Sequence, residues 1–79
     1  MTKTNLQALY DEVIDHFGGQ QQTANALDVK QPSVNGWKKG KTKMKPAIAA
    51  RVQEITGGKF KAIDLCPELK DVLKILNVA

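Results

Sequence analysis

The sequence predicts an all-α fold, a compact arrangement of five short helices, on three observations. Apolar residues recur at helical spacing in most segments of the chain. Glycines and prolines fall where such segments begin and end, dividing the chain into short pieces. Within residues 21–40, QQTANALDVKQPSVNGWKKG, a helical pattern breaks off and then resumes, as two helices joined by a tight turn would.

The first helix is expected over residues 5–17. Thr4 and Gln7 have capping-box spacing, and Leu6, Leu9, Val13, Ile14 and Phe17 follow the helical period. Gly18-Gly19 ends it, because glycine readily takes the left-handed conformation of a helix C-terminus. Residues 20–27, QQQTANAL, suit a second, short helix. A turn through Val29–Gln31 leads to Pro32, placed in the first turn of a third helix, where its missing N–H costs nothing. That helix is expected over 31–38, stopping at Gly40, and GKTKM reads as an exposed loop.

Pro46 opens a fourth helix, with Ile48, Val52 and Ile55 on one face and Gly57-Gly58 closing it. The last part is open to two readings. Pro67 is a plausible helix start, and Leu69, Val72, Leu73 and Leu76 fall at i, i+3, i+4 and i+7. Alternatively KFKAIDL is a short strand that pairs with VLKILNV in a C-terminal β-hairpin. The helical spacing, and the absence of an Asn-Gly or Asp-Gly turn between the two segments, favour helix.

The bulk properties limit what such a chain does. Its 79 residues are expected to form a single domain, 1–79, with little room for an enclosed active site beside a core. No apolar run approaches the ~20 residues that span a bilayer, and MTKTNLQALY lacks a signal peptide's apolar stretch. The one cysteine, Cys66, leaves no internal disulfide and fits a reducing cytoplasm. The net charge is +4, and its distribution is uneven. No acidic residue lies between Asp28 and Glu54, a window holding Lys30, Lys38, Lys39, Lys41, Lys43, Lys45 and Arg51. Such a block is the electrostatic footprint of a polyanion binder. From charge alone, a solvated lysine-rich face explains it equally well.

The interrupted helix decides between these. A helix-turn-helix needs a small residue where its helices approach, which Ala24 supplies, and a buried side, here Leu27, Val29, Val34 and Trp37. The opposite side of the third helix is then Gln31, Ser33, Asn35 and Lys38, all able to hydrogen-bond. A polar face flanked by lysines is what a helix needs to enter the major groove of DNA.

These residues carry a family resemblance. The run VIDHFGGQQQTANALDVKQPSVNGWKKG resembles the Cro-type repressors of lambdoid phages, within the wider lambda-repressor-like group. It is similar to the branch whose pattern reads DHFG…Q…A.ALG…Q..VS.W. The likeness is strong over residues 13–40 and looser over 46–68, where ITGGKFKAIDLCPEL matches the segment after the fourth helix. Two positions depart from the pattern. Asp28 stands where the turn usually has glycine, and Lys30 stands where a capping serine or threonine is usual.

The resemblance implies a transcriptional repressor that binds pseudo-palindromic operators in double-stranded DNA as a weak homodimer, formed mainly on DNA, in the host cytoplasm and nucleoid. From the residues themselves, no cofactor, metal or membrane is expected. By the same resemblance, Gln31 and Asn35 read base edges through their amides, Lys30 and Lys38 reach guanine or phosphate, and Pro32 and Ser33 meet thymine methyls or the sugar-phosphate edge. Gln20 or Gln21 grips a phosphate at the start of the second helix. Lys39, Lys41, Lys43 and Lys45 attract the backbone, and Gly36 permits close approach. The C-terminal stripe offers Phe60, Leu69, Leu73 and Leu76 as dimer contacts, unless these residues cover the chain's own core. Cro-type proteins include all-helical members and members ending in a β-hairpin, so the first forty residues leave that choice open.

Other residues have simpler expectations. Trp37 belongs to the core, His16 has no ligand set around it, and Cys66 is a structural thiol. Asp11, Glu12 and Asp15 form a solvated helix face, and no catalytic constellation is visible. Two rivals remain: an antitoxin-like helix-turn-helix autoregulator, and a small basic helical module that holds an acidic protein partner.

Overall fold

Four helices of this chain close in the same way. The computed structural model describes residues 5–71 and contains α1 (Asn5–Phe17), α2 (Gln20–Leu27), α3 (Gln31–Lys39), α4 (Pro46–Ile55) and the single turn α5 (Ala62–Leu65). At the end of each of the first four, two successive amides turn back onto the last carbonyls. Gly18 and Gly19 bond Asp15 and Ile14, Asp28 and Val29 bond Asn25 and Ala24, Gly40 and Lys41 bond Trp37 and Gly36, and Gly57 and Gly58 bond Glu54 and Gln53. These are Schellman closures, which require a left-handed residue at the pivot. Glycine is the pivot at 18, 40 and 57; at 28 it is aspartate, with φ 55°.

Helices α1 to α3 belong to one compact unit, Met1–Lys43, in which each packs on the other two. Its core is Tyr10, Val13 and Ile14 from α1, Thr23, Ala24 and Leu27 from α2, and Val34 and Trp37 from α3. The expected α1 stripe needs one correction. Tyr10 is buried, while Leu6, Leu9 and Phe17 are only half-buried. The Tyr10 ring lies tilted against that of Trp37, with centroids 6.2 Å apart. Thr23 is fully buried, and its hydroxyl donates to the Gly19 carbonyl at 2.7 Å, so the first turn of α2 is closed from inside. Thr4, half of the expected capping box, lies outside the described residues.

The second unit is Met44–Ala79. Helix α4 buries Ala49 and Val52, whereas Ile48 is half-buried and Ile55 stands 48% exposed, so the stripe Ile48–Val52–Ile55 read from the sequence is rotated. Met44, expected in an exposed loop, is buried at 2%. KFKAIDL does not form a strand. Its second half is α5, whose first amide, on Ala62, is capped by the Gln53 side chain of α4 at 2.8 Å. Thr56 stabilises the preceding bend, donating to the Val52 carbonyl at 2.7 Å and accepting from the Phe60 amide at 3.3 Å. Phe60, Leu65 and Cys66 are buried. Residues 68–71 are again helical, as the Pro67 start requires, so the described residues hold one more helical segment than the five helices expected and no strand. Val72, Leu73 and Leu76 of the expected stripe lie outside the described residues, as does VLKILNV from its first residue on.

Candidate nucleic-acid interface

The second and third helices are joined by residues 28–30 alone. Asp28 turns the chain, Val29 is half-buried, and Lys30 is the residue before α3, in extended backbone at φ −82° and ψ 146°. Gln31 is therefore the first helical residue and Pro32 the second, where proline's fixed φ suits the turn and its missing donor costs no bond. The lysine at 30 supplies no side-chain cap; the Ser33 amide reaches the Lys30 carbonyl at 3.0 Å instead.

Burial fixes the orientation of α3. Val34 and Trp37 face inward, and Gln31, Pro32, Ser33, Lys38 and Lys39 are exposed, with Asn35 and Gly36 half-buried. At 100° per residue, Gln31, Asn35 and Lys38 form one outer stripe, and Pro32, Gly36 and Lys39 the stripe beside it. The first stripe is tied at both ends. Gln31 Nε2 donates to Gln20 Oε1, in the first turn of α2, at 2.6 Å. Lys38 Nζ lies 3.4 Å from Asp11 Oδ1 of α1. The Asn35 side chain between them has no hydrogen-bond partner among the described residues.

Three sequence-based expectations change here. Asp11 is not part of a solvated acidic face: its side chain is 17% exposed and holds Lys38. Lys38 thereby differs from the other lysines around α3, since Lys30, Lys39, Lys41 and Lys43 have no carboxylate partner among the described residues. The space left by the missing Cβ of Gly36 is used within the chain, because a Cβ there would stand 2.5 Å from Thr42 Oγ1. The glycine lets the loop after α3 fold back on the helix, where Lys41 and Thr42 donate to the Gly36 carbonyl.

The remaining candidates are placed as follows. Gln20 is half-buried in the first turn of α2, and Gln21 is exposed, bonded to Asn25 at 3.1 Å. Lys39, Lys41 and Lys43 are exposed, and in the second unit Lys45 is the exposed residue before α4. Of the dimer candidates, Phe60 is only 7% exposed and lines the chain's own interior, which takes it off any outer face. Leu69 is half-buried, and Leu73 and Leu76 lie outside the described residues. Among the described residues no helix is long and apolar enough to cross a membrane.

Comparison with known proteins places this chain in a family. The "Regulatory protein cro" of Pseudomonas phage D3 is 48% identical over 62 residues, a match that covers 78% of this chain and 85% of that protein. The chain belongs to the Cro-type helix-turn-helix family of phage regulators. A family model described as "Bacterial toxin YdaS" matches residues 10–72, which takes in α1 to α5 apart from the first residues of α1. That family is itself of the Cro-like helix-turn-helix kind. No solved structure matches. Membership makes the chain a DNA-binding regulatory protein of phage type.

Sequence reasoning missed the two ties. Gln20 and Gln31 are eleven residues apart, and Asp11 and Lys38 twenty-seven, so no local pattern announces either contact. The signal for the second was compositional: an acidic residue on the first helix and a basic one at the end of the third.

Proposed function

We propose that the chain is a sequence-specific transcriptional repressor that binds pseudo-palindromic operators in double-stranded DNA, with α3 as its recognition helix and residues 1–79 acting as one DNA-binding domain. The observation that carries this reading is the outer stripe of α3, where an amide at 31, an amide at 35 and a lysine at 38 stand on a helix buttressed by α1 and α2. Amide side chains bond adenine at two edge atoms, and each good pair of this kind discriminates by about 1–3 kcal/mol. Lys30, Ser33 and Pro32 stand where the helix enters the groove, and Gln20 or Gln21 at the start of α2 meets a phosphate. Lys39, Lys41, Lys43 and Lys45 supply attraction that is blind to sequence. The repressor acts as a weak homodimer assembled mainly on DNA, presenting two such helices roughly 34 Å apart.

Selection from a random duplex pool at two salt concentrations tests this. Enrichment of a palindrome with half-sites about one helical turn apart, together with a steep loss of affinity as salt rises, is the expected result. Binding that is salt-sensitive but enriches no sequence would remove the repressor reading and leave a charge-driven module that holds acidic partners.

The match to a family described as a bacterial toxin favours a second reading, a helix-turn-helix autoregulator whose level affects growth of the host. Induced expression in a bacterial host separates the two. Growth arrest that is lost when Gln31 and Asn35 are both alanine would favour the second reading.

A further inference from the structure

We propose that Asp11 of α1 is a specificity-determining residue, which withholds the positive charge of Lys38 from non-specific DNA and so leaves discrimination to the amides of the same stripe. The inference rests on the DNA-reading role of α3. Two observations support it. Lys38 is the third member of the stripe that starts at Gln31, seven residues on and within about 20° of the same direction. It is also the lysine around α3 that has a carboxylate within reach, at 3.4 Å, while Lys30, Lys39, Lys41 and Lys43 keep theirs unpaired among the described residues. The cation on the base-reading stripe thus has a carboxylate beside it, and the cations that flank it do not.

The physical consequence follows from how charge acts on DNA. An unpaired lysine at a duplex surface releases counterions at every sequence alike, which raises non-specific binding as much as specific binding. A lysine held by a carboxylate contributes this way only after the pair is broken. The pair is weak enough to break, since Lys38 is 46% exposed, so a correctly placed guanine or phosphate can still recruit it. The carboxylate sets a threshold that a favourable sequence passes and a random one does not.

The test is a double-mutant cycle on the full chain, with binding measured to a random-sequence duplex and to the selected sequence across a salt series. Asp11→Asn should tighten binding to the random duplex about two- to five-fold at low salt, the range that corresponds to a surface ion pair. It should also steepen the salt slope by up to about 0.9, and lower the ratio of specific to non-specific affinity. In a Lys38→Gln background the same substitution should produce neither change. Asp11→Glu, which keeps a carboxylate, should restore the wild-type slope, and Asp11→Ser repeats the measurement with a side chain of different shape. Glu12→Gln, the neighbouring exposed carboxylate, controls for net charge. If Glu12→Gln matches Asp11→Asn, or if the Asp11→Asn gain survives in the Lys38→Gln background, the effect is general electrostatics and the proposal falls. A wild-type chain that prefers no sequence would defeat the repressor reading instead, and the slope on random duplex would still report on the pair.

Discussion

Gln31 and Gln20 are joined side chain to side chain at 2.6 Å, a bond between the first turns of α3 and α2. Gln20 is the first residue of α2 and Gln31 the first of α3, so the bond ties the two helix starts and fixes the direction of the first amide on the reading stripe before DNA arrives. Pre-orientation reduces the rotamer entropy lost on binding. Gln20→Ala should therefore leave stability within about 0.5 kcal/mol of wild type, as substitutions away from the core do, yet blur base preference at the position opposite Gln31. Denaturant unfolding and repeated selection from a duplex pool measure the two effects separately. Unchanged preference would show that Gln31 does not need Gln20.

Asn35 and Lys41 should separate reading from attraction. Asn35 stands in the middle of the stripe with its amide unpartnered among the described residues, and Lys41 is an exposed residue of the loop after α3. Asn35→Ala should cost about 1–3 kcal/mol on the selected sequence and relax preference at one position, whereas Lys41→Ala should weaken all sequences alike and reduce the salt slope by about 1. Quantitative binding to a panel of single-base variants checks both. Uniform weakening by both substitutions would mean that Asn35 reads nothing.

The fold was legible in the sequence where the signal was local. Gly18, Gly40, Gly57, Pro32 and Pro46 marked helix boundaries, because backbone conformation at a helix end is set by the residue that occupies it. Trp37 and Leu27 were legible as core from their spacing. What remained hidden depended on contacts between distant residues. Tyr10 is buried because Trp37 lies against it, and Met44 is buried inside a segment whose composition reads as exposed loop. Ala62–Leu65 forms a helical turn, although its residues suit a strand, in part because Gln53 caps its first amide. Among the site residues, position on α3 was readable from periodicity, while the pairing of Lys38 and the reason for Gly36 were not.

Asp28 should be the weakest of the four helix closures. Its φ of 55° is a conformation that costs an L-residue roughly 1–2 kcal/mol, less for aspartate, whose side chain tolerates it. Asp28→Gly should relieve that cost and stabilise the chain by up to about 1 kcal/mol, the gain being offset by glycine's greater freedom when unfolded. Asp28→Ala, which keeps the strain and loses the tolerance, should destabilise by about 1 kcal/mol. Equilibrium unfolding of the two variants gives the comparison, and a loss of stability in both would place the role of Asp28 elsewhere than in the turn.

Gly36 offers a sharper test because two opposing effects meet at one atom. Alanine in a helix interior is favoured over glycine by about 1 kcal/mol. Here, however, the added methyl would stand 2.5 Å from Thr42 Oγ1, and Thr42 must move or α3 must yield. Overpacking of this kind costs about 1–3 kcal/mol, so Gly36→Ala in the wild-type chain should be neutral or destabilising. In a Thr42→Ala background the clash is gone and the same substitution should stabilise by about 1 kcal/mol. The coupling between the two positions, read from four unfolding curves, should therefore be at least about 1 kcal/mol. Additive effects would show that the loop after α3 does not rest on Gly36, and would return that glycine to a role at the DNA surface.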